Sequence, residues 1–193
     1  MIKKMNITNG SSVNSFIDSL TDGYFPESDS DCLQELATII VKLLTDKGLK
    51  LATAESCTGG LLSELITSVP NASGVFGTGI CTYSPESKIS VLGVPASVIE
   101  KYGVYSDETA YEMASRIRGL SCADIGVSVT GIAGPSGGTA EKPVGTVYIG
   151  FSTADYDFTC RLRLNELDVP TRTNIREYTA ASVFEILEKL LLM

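Results

Sequence analysis

A serine and a cysteine stand side by side in the stretch TAESCTGG, residues 53–60, between a carboxylate and a pair of glycines. Either side chain becomes a nucleophile once its proton is removed, yet the chain of 193 residues contains no histidine to remove it. A base for Ser56 must therefore be a lysine or a carboxylate, and a lysine qualifies when a desolvated pocket leaves it neutral near pH 7. No lysine follows a serine by three residues, so the base has to come from elsewhere in the chain. Cys57 competes as the nucleophile, because a helix N-terminus lowers a thiol pKa. The structural alternatives are Ser56 as a helix cap and Cys57 as a small residue packed beneath the turn.

Three further groups have chemistry-bearing composition. TYSPESK, residues 82–88, closes an apolar run and enters a helix at Pro85, which puts Tyr83 and Lys88 near the same sheet edge as Ser56. A lysine on a short helix is nevertheless ordinarily solvated. The loop TGIAGPSGGTAEKPVG, residues 130–145, has the glycine density of a phosphate loop but neither G-K-[ST] nor G-x-G-x-x-G. Thr130, Gly131 and Gly134 are read as a backbone wall of the pocket, or simply as turn residues between two strands. Arg172 and Arg176 lie one turn apart at the start of the last helix, so their heads can converge on a phosphate or carboxylate, or stay in water.

These residues need a scaffold, and the hydrophobic pattern supplies one. CLQELATIIVKLLTDKG has helical spacing and stops at Gly48. LKLATAES is a short apolar strand, and Thr58-Gly59-Gly60 opens the helix LLSELITSV. The backbone N–H groups of Cys57, Thr58, Gly59 and Gly60 then stand where an oxyanion hole could form. GVFGTGICTYS reads as a strand, PESKISVLG and PASVIEKYG as short helices, and SDETAYEMASRIRGL as a helix capped by Ser106. ADIGVSVTG and PVGTVYIGFST are continuous apolar strands of the doubly buried kind. YDFTCRLRLN alternates like an edge strand, and VPTRTNIREYTAASVFEILEKLLLM reads as a long amphipathic helix. The fold class expected is α/β, a three-layer α/β/α sandwich with a mixed, mainly parallel sheet. Residues 1–30 keep no steady period and read as a loosely ordered extension with one short helix near residues 13–20; residues 31–193 form a single domain.

Composition excludes several classes. A formal charge of −8 and a pI of about 4.6 remove the basic field that nucleic-acid binding requires and disfavour anionic membranes. Five scattered cysteines, an odd number with no C-x-x-C, read as reduced core thiols, and without histidine a zinc site has little to be built from. No secretory segment or span is apparent, so the expectation is a cytoplasmic protein without membrane partner, metal or cofactor.

TAESCTGGLLSELITSVPNASGVFGTGICTYSPESKISVLGV, then TGIAGPSGG and KPVGTVYIGF, in this order, resemble the CinA C-terminal domain family over about residues 32–190. Its enzymatic members include nicotinamide-nucleotide amidases, which implies deamidation of nicotinamide mononucleotide to nicotinate mononucleotide and ammonia without a cofactor. The family's serine falls on Ser56, and its Y-S-x-x-x-K segment on Tyr83 and Lys88. The resemblance implies that Lys88, directly or through Tyr83, takes the serine proton. It places a further serine on Ser73, as a donor to the nucleotide or the lysine, and a phosphate ligand on Arg172. It also implies a homo-oligomer with a small-molecule nucleotide as substrate. The chain departs from the family pattern at VPTR, where Gly-Asp-Arg is usual, and at YSPESK, where Pro85 replaces an amide side chain. A non-catalytic nucleotide-binding or interaction module of the same fold is the alternative.

Overall fold

The computed structural model describes residues 26–193 together with Ser15 and Asp18. The extension expected over residues 1–30, and its helix near 13–20, lie almost entirely outside the described residues. Helix α1 (Ser30–Lys47) begins where the Asp29 carboxylate accepts the N–H groups of Asp31 and Cys32, and it ends at Gly48, in the left-handed region at φ 67°. Glycine takes that conformation without strain. Leu33, Leu36, Ala37, Ile40, Val41 and Leu44 form the buried stripe of α1, the three-and-four spacing of a helix with one apolar face.

Five strands follow: β1 (Leu51–Glu55), β2 (Phe76–Cys81), β3 (Ile125–Gly131), β4 (Thr146–Ser152) and β5 (Asp157–Arg163). They form one sheet in the order β2-β1-β3-β4-β5. β1 pairs in parallel with β2 and β3, whereas β4 pairs antiparallel with β3 and β5. Only β4 therefore runs against the rest, as the short link to β5 requires. β1, β3 and β4 are buried at every residue, while β5 alternates, so the doubly buried and edge readings of these strands hold.

Helices between and after the strands are α2 (Leu61–Thr67), α3 (Pro85–Ser90), α4 (Ala96–Tyr102), α5 (Asp107–Ser121) and α6 (Arg172–Leu191). One sheet face carries α1, α2 and α6 over Leu51, Val127, Val129, Ile149 and Phe151. The other carries α5, where Met113 and Ile117 meet Ala52 and Ala54. This is a three-layer α/β/α sandwich. Helix α5 approaches the sheet very closely. A Cβ on Gly126 would stand 2.3 Å from the Ala114 carbonyl oxygen and one on Gly150 2.5 Å from that of Ala110, and Ser128 Oγ donates to Ala110 O at 2.6 Å. That contact fixes the start of α5, and with it the loop just before it.

Two expectations need correction. α6 is not simply amphipathic, because residues 179–184 are all buried. The small side chains Ala180, Ala181 and Ser182 let α1 and α2 crowd the helix while its other side meets the sheet. The cysteines are free, but only Cys57 and Cys160 are buried, and Cys81 and Cys122 are exposed. Cys81 ends the edge strand β2, and Cys122 is the left-handed residue that stops α5. No described helix is long and apolar enough to cross a membrane.

Candidate active site

Parallel strands bring their carboxyl ends to one edge, where helix starts also gather. Ser56 follows β1 directly, Thr82 and Tyr83 follow β2, and Gly131 ends β3. A cleft of about 160 Å³ opens there, with Ser56, Cys57, Tyr83, Tyr105, Gly131, Gly134 and Arg172 in its walls.

Helix α3 returns the chain toward Ser56. Ser84 and Ser87 form a reciprocal capping box, with Pro85 in the first turn, where its missing N–H costs nothing. The fourth helical residue, Lys88, is thereby turned inward and is 0% exposed. Its Nζ donates to Ser56 Oγ at 2.9 Å and to the Thr82 carbonyl at 2.6 Å. Among the described residues it forms no ion pair. Burial without a counter-charge disfavours the ammonium, and its pKa falls to about 8. Cys57, also buried, is driven the other way: desolvation raises its thiol to about 12. Of the two adjacent nucleophile candidates, the serine has the Lys88 amine beside it and the cysteine stays protonated.

Glu55 was not singled out by sequence, yet its carboxylate organises the turn. It is 0% exposed. Its Oε2 accepts the N–H groups of Gly60 and Leu62 at 3.0 and 3.1 Å. Its Oε1 accepts the N–H and hydroxyl of Ser63 at 2.9 and 2.7 Å. A carboxylate closing a strand five residues before a glycine-started helix was the available signal. The consequence is that two of the four N–H groups expected to form an oxyanion hole are already taken. Gly60 N–H is committed to Glu55, and Gly59 N–H to Ser56 O at 3.0 Å, so neither is available for the oxyanion role expected of the turn, while the N–H groups of Cys57 and Thr58 lie beside the Cys57 sulfur.

The remaining residues divide. Arg172 donates to Gly134 O at 2.8 Å and to the Tyr83 hydroxyl at 2.9 Å, forming the rim. The Tyr83 hydroxyl is thus held by Arg172, and Lys88 reaches Ser56 directly rather than through it. Arg176 does not converge with Arg172. Its Nε and Nη2 donate to Thr58 O at 3.0 and 2.8 Å, which braces the nucleophile turn from behind. Thr130 lies behind the wall, its hydroxyl donating to Val104 O at 2.9 Å. Ser73 is not brought to the cleft within this chain: it is exposed, in the short 3-10 turn Ala72–Gly74 before the N-terminal end of β2. Tyr105, which sequence reasoning missed, lines the cleft, and burial raises its phenol, with Cys57 and Tyr83 close enough to add to the effect. Its place before the Ser106 cap carried no signal of chemistry.

Residues 33–191 match the CinA C-terminal domain. A competence-damage inducible protein of Caldanaerobacter subterraneus subsp. tengcongensis is 48% identical over 158 residues, covering 82% of this chain and 37% of the relative. A CinA-like protein of Kosmotoga olearia is 53% identical over 117 residues, 61% of this chain and 28% of that protein. The match therefore spans between little more than a quarter and little more than a third of the length of these relatives. Among solved structures, the competence/damage inducible protein CihA of Agrobacterium tumefaciens is similar with a TM-score of 0.78 at 37% identity, covering 89% of this chain and 99% of that one. A CinA superfamily protein of Klebsiella pneumoniae gives 0.78 at 30% identity, with 83% and 98% covered. The match runs from the first turn of α1 to the end of α6 and takes in the whole cleft: this chain belongs to the CinA C-terminal domain family.

Proposed function

We propose that the chain is an amidohydrolase that converts nicotinamide mononucleotide to nicotinate mononucleotide and ammonia, with Ser56 as nucleophile and Lys88 as base. The observation that carries this reading is the buried Lys88 Nζ at 2.9 Å from Ser56 Oγ, with a pKa lowered to about 8. At pH 7 such an amine is neutral in about a tenth of molecules, against fewer than about one in a thousand for a solvated lysine.

In the neutral amine, one N–H is held by Thr82 O, which leaves the lone pair for the Ser56 proton. Ser56 Oγ attacks the carboxamide carbon while its proton passes to Nζ. The oxygen that gains charge meets the N–H groups of Cys57 and Thr58. Lys88 then returns the proton to the amide nitrogen, the C–N bond breaks, and ammonia leaves an acyl-serine. Water, losing a proton to Lys88, attacks the acyl carbon and releases the carboxylate, and the proton goes back to Ser56. The exposed Arg172 on the rim, beside the glycine-rich loop, suits the phosphate.

The test is ammonia release from nicotinamide mononucleotide by wild type and by Ser56→Ala. Release by the wild type, reduced by at least about a thousandfold in the variant, is the expected result. Release from neither, with the nucleotide still bound in calorimetry, would replace this reading with a non-catalytic binding module.

A further inference from the structure

The loop before α5 is pinned in an unusual way. Three successive carbonyls are each held by a side chain from a different part of the fold. Gly103 O accepts from Thr109 Oγ1 of α5 at 2.7 Å, Val104 O from Thr130 Oγ1 of β3 at 2.9 Å, and Tyr105 O from Lys142 Nζ at 2.5 Å. The first two anchors belong to the packed core. The third comes from the glycine-rich loop, whose residues 131–134 with Ser136 and Gly137 line the same cleft as Tyr105.

Lys142 is itself well placed to hold. Thr139 N–H donates to Lys142 O at 2.9 Å, and Lys142 N–H donates to Thr139 Oγ1 at 3.1 Å, so a closed turn carries the lysine. Its Nζ lies 5.8 Å from the centre of the buried Tyr148 ring, a distance at which a cation is attracted to the ring face. Arg161 sits over the same ring at 5.7 Å and donates to Glu141 O at 3.1 Å, so the preceding residue of the loop is tied to β5.

We propose that Lys142 is a positioning residue that latches the glycine-rich loop to the Tyr105 backbone, so that the two walls form one clamp and Tyr105 is held as the wall against which the substrate's ring packs. The kinetic consequence rests on the amidase reading; the mechanical one does not. Lys142 touches no reacting atom, so its loss acts on binding. Tyr105 would swing with its loop, and the ring would lose a fixed wall, while Ser56 and Lys88 keep their geometry.

The test measures amide hydrogen exchange and kinetics on the full chain in wild type, Lys142→Met and Lys142→Arg. Methionine keeps the packing on Tyr148 but cannot donate; arginine can. In Lys142→Met, exchange should accelerate at residues 103–106 as well as at 139–142. KM for nicotinamide mononucleotide should rise about tenfold or more, with kcat within about threefold, and Lys142→Arg should restore both readouts toward wild type. Acceleration confined to 139–142, or a fall in kcat with KM unchanged, would overturn the proposal. If the wild type releases no ammonia, the amidase reading fails and the exchange pattern alone decides whether the latch exists. If Lys142→Met does not fold, Lys142→Leu, which likewise cannot donate, takes its place under the same criteria.

Discussion

Glu55, which closes β1, and Lys88, on the helix that follows β2, are two ionisable side chains withdrawn completely from water, and the fold treats them in opposite ways. Four donors converge on the Glu55 carboxylate, and they come from the helix start that its charge also favours. Lys88 receives one carbonyl and one hydroxyl and no ion pair among the described residues. A buried carboxylate met by four donors is a structural fixture, whereas a buried amine with no counter-charge has its ammonium form disfavoured. The carboxylate therefore builds the turn that presents Ser56, and in the proposed function the amine supplies the chemistry. The same contrast accounts for the helix start of α2 being filled by the protein's own carboxylate, which leaves Arg172 and the glycine-rich loop as the groups suited to a substrate anion.

The contrast can be broken most sharply at Lys88. Lys88→Met should abolish ammonia release, by a factor of about a thousand or more, and yet raise stability at pH 7. The sign follows from the folded pKa of about 8 against the ordinary lysine value of 10.5. Between those values the unfolded chain binds more protons, so wild-type stability rises with pH across that window and carries its full penalty below pH 8. Removing the amine should recover up to about 3 kcal/mol at pH 7, less the lost bond to Thr82 O. The advantage of the variant should shrink as pH climbs from 8 toward 10.5. Thermal melts at pH 7 and pH 10 check it, and a variant less stable than wild type at pH 7 would contradict the account.

At Glu55 the prediction is opposite in sign. Glu55→Ala strips partners from three backbone N–H groups and the Ser63 hydroxyl, and should cost about 3 kcal/mol, measured by urea unfolding. Glu55→Gln keeps an acceptor oxygen and the shape, and should cost about 1–2 kcal/mol. An unchanged midpoint in Glu55→Ala would show that the cap is dispensable.

The architecture was legible because its signals are redundant. Apolar runs too short for helices, Gly48 after a helical stripe, Ser106 before α5 and Pro85 at a first turn all pointed to elements that exist. The end of the sheet that gathers Ser56, Tyr83 and Gly131 followed from strand direction alone. What sequence left hidden depends on where long side chains end. Strand order put Lys88 near Ser56, but the local pattern of α3 reads it as a solvated lysine, and its burial comes from that helix turning back toward Ser56. Arg172 and Arg176 share a helix face, as their spacing requires, but their heads go to Gly134 and Thr58 rather than to each other. Glu55 read as a neighbour of the nucleophile, although its role is to cap the helix beyond it. Tyr105 and Lys142 were invisible because their partnership joins loops 37 residues apart.

The protonation of Lys88 can be followed without any substrate. Lysine labelled with ¹³C at the ε-methylene gives a signal that moves as the amine loses its proton, and the resonance absent from the Lys88→Met spectrum identifies the residue. A midpoint near 8 is the result expected if burial has prepared this amine to take the Ser56 proton. A midpoint above about 10, the range of a solvated lysine, would contradict the central claim that Lys88 is the base.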